Sequence, residues 1–354
     1  MMLRLERYIA AQVLSAVFVI LLIVLGLDLI FEFVAQAADI NERYTMSDVL
    51  YYLAYRAPGR LYEFLPLASL VGCLVGLGML ASNSELTVMR AAGISIGRIV
   101  MAVMKPAILL ALIAVLMGEY VVPHSEQVAE SSRALAKSNG QALRSEHGVW
   151  HREDNQFIHI NAVEPGGKIH GITRYTFDER LQMVSASFAA TGTYSEQGWI
   201  LKEVQQTAFL GDRTQVSSAS QELWQSGLTP TLLSVIVVKP VDLSISGLWS
   251  YTGYLAEQGL DANQYLLAFW TKVLQPVGIL ALVLVGISFV FGPLRSVTVG
   301  QRIVAGVIVG LVFKFSQDLL GPASLVVGFT PLVATMIPIA VCAGVGFILL
   351  KRAG

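Results

Sequence analysis

Six apolar runs decide what this chain can become. Residues 8–33, 61–80, 99–122, 265–291, 299–320 and 332–350 each hold enough apolar side chains to cross a bilayer, for which a helix needs about 20 residues. A chain of 354 residues that is 55% hydrophobic and 14% charged, with a mean hydropathy of +0.63, has lipid as its solvent. The first run is expected to remain as a span. It is too long for a signal peptide, no small-residue cleavage site follows it, and Asp28 and Glu32 stand in its last turns. With 24 basic and 25 acidic side chains there is no overall attraction to nucleic acid, and no nucleic-acid partner is expected. Cys73 and Cys342 both lie inside apolar runs, where they serve as small hydrophobes rather than as a disulfide framework.

Basic residues set the expected orientation. Arg4 and Arg7 precede the first run, Arg90, Arg98 and Lys105 follow the second, Arg295 and Arg302 follow the fourth, and Lys351 and Arg352 close the chain. If the helices alternate, all four groups share one side, which is expected to be cytoplasmic and to hold both termini. The uncharged loop at 321–330 suits the other side, whereas Arg43, Arg56 and Arg60 in the first outside loop weaken the bias.

Between the third and fourth runs the texture becomes polar. Residues 125–137 extend the third helix, and strand-like segments follow at 148–151, 156–163, 168–177, 183–194, 199–204, 215–223 and 232–238. Turn signals such as Pro165-Gly166-Gly167 and Gly211-Asp212 separate them, which predicts a sandwich or open barrel. Phe157, His159 and Asn161 alternate with Ile158, Ile160 and Ala162, giving one mixed and one apolar face. An amphipathic helix is expected over 243–258, with Leu248, Tyr251 and Leu255 on one side, Gly259 ending it, and Asp261 or Asn263 capping the next. The fold class is therefore an α+β membrane protein, divided into spans one to three (1–123), an outside β-rich domain (124–258) and spans four to six (259–354).

The sequence holds no G-x-x-x-x-G-K-[ST], no H-E-x-x-H and no G-x-S-x-G. No catalytic chemistry, cofactor or nucleotide hydrolysis is expected of this chain itself. All five histidines (His124, His147, His151, His159 and His170) fall in the outside domain. The i, i+4 spacing of His147 and His151 would bring two ligands together only on a helix, and Gly148 and Trp150 favour a strand, so no metal is expected.

The loop between spans two and three carries more. Asn83 or Ser84 can cap a short helix over 84–92, Glu85 occupies its first turn, Leu86, Met89 and Arg90 follow at i, i+3 and i+4, and Gly93 can end it. With no cytoplasmic domain to receive its apolar side, such a helix either lies on the lipid interface or docks into another protein.

The same segment, from Leu77-Gly78-Met79-Leu80 through Ser84-Glu85-Leu86-Thr87-Val88-Met89-Arg90-Ala91-Ala92-Gly93, resembles the LptF/LptG permeases. Gly118-Glu119-Tyr120-Val121-Val122-Pro123, Phe291-Gly292-Pro293-Leu294-Arg295-Ser296-Val297 and Gly321-Pro322 agree with it, so the likeness covers the whole chain. The resemblance implies a permease subunit in a bacterial inner membrane, belonging to an exporter that extracts lipopolysaccharide. Its implied partners are an LptF-like second permease, an LptB-like ATPase dimer that uses the ATP, and an LptC-like periplasmic bridge. The outside domain would be a periplasmic β-jellyroll, and Ser84, Glu85, Leu86, Met89 and Arg90 would couple to the ATPase. Arg133 and Arg302 match basic positions of the family, whereas Asp28, Glu32, Asp39 and Glu42 stand where relatives place lysines for lipid A phosphate.

In the fifth run Gly306, Gly310, Lys314 and Asp318 recur every fourth residue along one face. An ionised side chain there must meet protein, water or ligand. Lys314 either neutralises Asp318 or supplies the missing phosphate contact, and the glycines admit acyl chains or a neighbouring helix. A different class, a mechanotransmission or sensor subunit of an ABC-type complex through which no lipid passes, shares the same overall plan.

Overall fold

In the computed structural model the described residues are 2–41, 44–138, 149–163, 168–195, 197–211, 213–230, 233, 240–257, 261–292 and 297–353. Residues Glu42, Arg43, His147, the turn at 164–167, Gly259, Arg295 and nearly all of the seventh expected strand, 232–238, lie outside them. The chain divides into two compact units, one of residues 1–30, 57–122 and 244–354, the other of 31–56 and 123–243.

Helices α1 (Met2–Ala37), α2 (Met46–Ser82), α3 (Glu85–Ala91), α4 (Ile96–Leu116) and α5 (Val122–Ser138) precede the strands, with a single π turn, Met117–Val121, joining α4 to α5. After the strands come α6 (Ile245–Glu257), α7 (Asn263–Phe291), α8 (Val299–Val327) and α9 (Pro331–Ala353). Among the described residues six helical stretches are long and apolar enough to span a membrane: α1, α2, α4 continued into α5, α7, α8 and α9. The helices outrun the apolar runs. Arg56 and Arg60, expected in a loop, sit well inside α2, which already begins at Met46, because a helix can run on past the apolar stretch wherever its charged side chains find partners.

In the first unit α2 is central. Of its most apolar 18-residue stretch 67% is buried, against 17% for α1 and for α8. Glycines set the approach of its neighbours. A Cβ on Gly72 would stand 2.5 Å from the Val17 Cα of α1, one on Gly306 2.5 Å from Leu74 Cδ1, and one on Gly310 would overlap Leu67. The small-residue stripe of α8 therefore receives α2. Pro66 in α2 has no amide to offer the Tyr62 carbonyl, and Gln275 Nε2 of α7 donates to that oxygen at 2.9 Å. The freed carbonyl is thus satisfied by a neighbour rather than left open in lipid.

The second unit holds an antiparallel sheet of six strands in the order β1 to β6, each beside its sequence neighbour: Val149–Glu153, Gln156–Val163, Ile169–Phe177, Met183–Ser195, Gly198–Phe209 and Thr214–Trp224. Helix and sheet together make the mixed membrane fold that the sequence predicts. Ile158, Ile160, Ile172, Ala189 and Val204 alternate along paired strands into one apolar cluster. Trp199 anchors it and donates its indole N–H to the Leu228 carbonyl at 2.7 Å. The mixed face is covered as well, since His159 and Asn161 are buried and Trp150 lies on the His159 ring at 4.8 Å. Burial pushes the imidazoles of His151 and His159 below their usual range, so both stay neutral at neutral pH. Strand β6 is exposed along nearly its whole length.

Candidate functional site: the helix α3 end and the charged chain of the bundle

Helix α3 is held by a two-residue link from α2. Ser84 occupies the N-cap position, but with φ 62° and no side-chain cap, because turning the chain so sharply needs a left-handed residue there. At the other end Gly93, φ +85°, closes the helix as expected, its N–H bonded to Arg90 O and that of Ile94 to Met89 O.

The expectation that α3 has nowhere in its own chain to bury its apolar side is incorrect. Leu86 and Met89 are buried in the same cluster as Ile9, Leu77, Leu80 and Ile99 of the bundle. The ends of α1, α2 and α4 supply the receiving surface that no cytoplasmic domain provides. The outward side of α3 is therefore Ser84, Thr87, Val88, Arg90 and Ala91. Glu85 stands at the margin, accepting from Asn83 Nδ2 at 3.4 Å. Beside it an open depression of about 450 Å³ is lined by Arg90, Gly93, Ile94, Ser95, Ile96 and Gly97.

Towards the other end of α2 a chain of charges joins three helices. Asp28 of α1 meets Arg60 Nε at 3.2 Å, Arg60 meets Glu63 at 2.9 Å, Glu63 meets Lys314 of α8 at 2.9 Å, and Lys314 reaches Asp318 at 3.6 Å. Lys314 thus has Glu63 as its nearer partner, not Asp318 alone, and 44% of its side chain stays exposed. Glu63 escapes a reading of the sequence because it lies 251 residues from Lys314; the signal available was a carboxylate three residues from Arg60 inside an apolar run.

The remaining candidates are placed differently. Arg302 is 2% exposed and donates to the Gly78 carbonyl at 2.7 Å, so its guanidinium fastens α8 to α2 and is withheld from lipid. Gly306 and Gly310 face α2, against Leu74 and Leu67. Arg133, in the second unit, lies 5.2 Å from the Tyr52 ring centroid and 3.9 Å from Glu130, which also pairs with Arg56 at 3.5 Å. Acidic residues of α1 are engaged too: Asp28 with Arg60, and Glu32 with Gln36 at 3.1 Å.

A bundle of membrane-spanning helices, a short helix seated on one end and an inserted antiparallel sheet define a multi-pass membrane protein of mixed helix and sheet. The chain matches the family described as "Lipopolysaccharide export system permease LptF/LptG" over residues 7–352, and it belongs to that family. It is 36% identical over 337 residues, 94% of each chain, to the lipopolysaccharide export system permease protein LptG of Haemophilus influenzae. To the protein of the same name from Escherichia coli it is 35% identical over 340 residues, 95% of this chain and 94% of the other. Membership makes it a multi-pass inner-membrane protein and a transporter subunit rather than a catalytic enzyme.

Proposed function

We propose that this chain is the permease subunit of an ATP-driven exporter that extracts lipopolysaccharide from the inner membrane and passes it to a periplasmic bridge, with ATP hydrolysed by a separate ATPase docked on α3. Its similarity across almost its whole length to relatives named for lipopolysaccharide export supports the substrate. The observation that carries the mechanism is the pair of barely buried spans flanking α2. Helix α1 exposes Phe18, Leu22, Leu27 and Phe31, and α8 exposes Ile308, Val312, Phe315 and Leu319. These faces are the wall along which acyl chains pass, and Lys314 at its charged end receives a lipid A phosphate.

In this reading the α3 end is cytoplasmic, as its basic residues favour, and the sheet is periplasmic and carries acyl chains onward. Among the described residues β6 is paired on one side only. Its free edge offers backbone groups to a strand of an LptC-like bridge or of the second, LptF-like permease. Arg302, Gly306 and Gly310 hold α8 on α2 in this scheme and do not touch the substrate.

A photoreactive residue at Phe315 is expected to crosslink to lipopolysaccharide in cells, and one at buried Phe313 is not. The double substitution Lys314→Gln with Glu63→Gln removes one charge of each sign and leaves Asp28 with Arg60, while Asp318, which loses Lys314, is exposed enough to stay solvated. It is expected to lose crosslinking at Phe315 while assembly with the ATPase persists. Absence of any crosslink in the unsubstituted chain, with ATPase coupling intact, would favour the mechanotransmission reading instead.

A further inference from the structure

The stretch Gly118-Glu119-Tyr120-Val121-Val122-Pro123 is used neither by the α3 end nor by the charged chain. The helix widens here into its π turn. Pro123 has no amide to return to the Glu119 carbonyl, and a π turn re-registers the backbone around such a gap, a device concentrated at functional positions. The Glu119 side chain leaves its own helix. Its Oε2 accepts from the Ile245 N–H at 2.9 Å and the Ser246 N–H at 3.3 Å, and the Ser246 hydroxyl donates to Oε1.

Helix α6 already has a cap of its own, since Ser244 Oγ accepts from the Gly247 N–H at 3.0 Å. The carboxylate is therefore a second cap, brought from 126 residues away, and one that the helix dipole and charge-assisted bonding both favour. The contact closes a ring of helices. Gly118 lets α2 approach, because a Cβ there would stand 3.0 Å from the Tyr62 hydroxyl. Tyr62 is held by α7 through Gln275 and through Lys272, 5.7 Å from its ring centroid. Helix α7 in turn packs on α6 by Trp249 against Phe269 at 5.3 Å and Tyr251 against Tyr265 at 4.6 Å. The chain leaves the bundle unit for the second time after Val122 and returns to it at Ser244, so the tie from Glu119 to Ile245 and Ser246 joins that departure to its return.

We propose that Glu119 is a positioning residue that clamps these two connections together, so that a movement of the bundle reaches both at once. Its role in export rests on the transport reading above; the clamp itself does not.

Hydrogen exchange on the full-length protein in lipid nanodiscs tests the clamp, and lipopolysaccharide released per ATP hydrolysed by the assembled transporter tests its use. Glu119→Gln and Glu119→Ala are expected to speed exchange at the Ile245 and Ser246 amides by about tenfold or more, the change that loss of a charge-assisted hydrogen bond gives. Both are expected to lower the release ratio several-fold while assembly and the ATPase rate hold. Ser244→Ala frays α6 without cutting the tie, so its exchange rises but its ratio stays near that of the unsubstituted protein. Unchanged exchange in Glu119→Ala overturns the clamp. Faster exchange with an unchanged ratio, or an equal fall of the ratio in Ser244→Ala, overturns its part in coupling. Should the unsubstituted transporter release no lipopolysaccharide, the transport reading fails, and the exchange arm alone decides the clamp.

Discussion

Gly72→Val is expected to prevent accumulation of the folded bundle. A Cβ at this position would stand 2.5 Å from the Val17 Cα and 2.6 Å from its backbone nitrogen, so no rotamer change in α1 relieves it and the helices must separate. One turn on, Gly76 is nearly as tight, 2.9 Å from the Val13 Cα, so α1 cannot slide to recover the contact. Overpacking that moves backbone is expected to cost more than about 3 kcal/mol here, a large share of the stability of a folded chain. Gly26→Val in α1 supplies the contrast, because nothing lies within 4 Å of that position and a lipid-facing valine is harmless. Thermal unfolding followed by fluorescence-detected size exclusion in detergent distinguishes the two. A Gly72→Val protein that is as stable as the Gly26→Val protein would refute the close packing of α1 on α2.

The second large effect is expected on α3, where the two sides of a seven-residue helix should fail in different ways. Val88 faces outward and Glu85 stands at the margin, so Val88→Glu and Glu85→Lys are expected to strip the ATPase from the permease while the permease itself stays folded. A central apolar contact or a desolvated charge in such an interface is worth about 2 kcal/mol or more when removed. Leu86 faces the bundle core. Leu86→Ala is therefore expected to lower the stability of the permease by about 2–5 kcal/mol, the range for a buried leucine, before any effect on docking. Co-purification with the ATPase, set beside the unfolding temperature of each variant, separates the outcomes. If Leu86→Ala releases the ATPase from a fully stable permease, the face assignment is wrong.

The spans were legible because lipid demands a length of apolar sequence that nothing else in a chain this size requires. The strands were legible because alternation and turn signals are local, as with Ile158, Ile160 and the Gly211 turn. Helix α3 was legible from its spacing and from Gly93. Its inward face was not, since that depends on α1, α2 and α4 meeting at one place. The charged chain was half visible. Lys314 and Asp318 share a helix face and can be paired by counting, whereas Glu63 and Asp28 reach the chain only through the packing that Gly72, Gly306 and Gly310 permit. Arg302 depends on packing in the same way. Its charge and its position at the start of a span are legible, whereas the room for its guanidinium comes from the missing side chain of Gly78, 224 residues away.

The central claim, that this chain moves lipopolysaccharide for an ATPase it carries, is tested most directly by reconstitution. Proteoliposomes would hold lipopolysaccharide, this permease, its second permease and the ATPase, with the bridge protein added as acceptor. ATP is expected to drive lipopolysaccharide onto the acceptor, and Glu85→Lys to abolish that transfer. Transfer that proceeds without ATP or without this chain, or ATP hydrolysis that proceeds with no transfer at all, would contradict it.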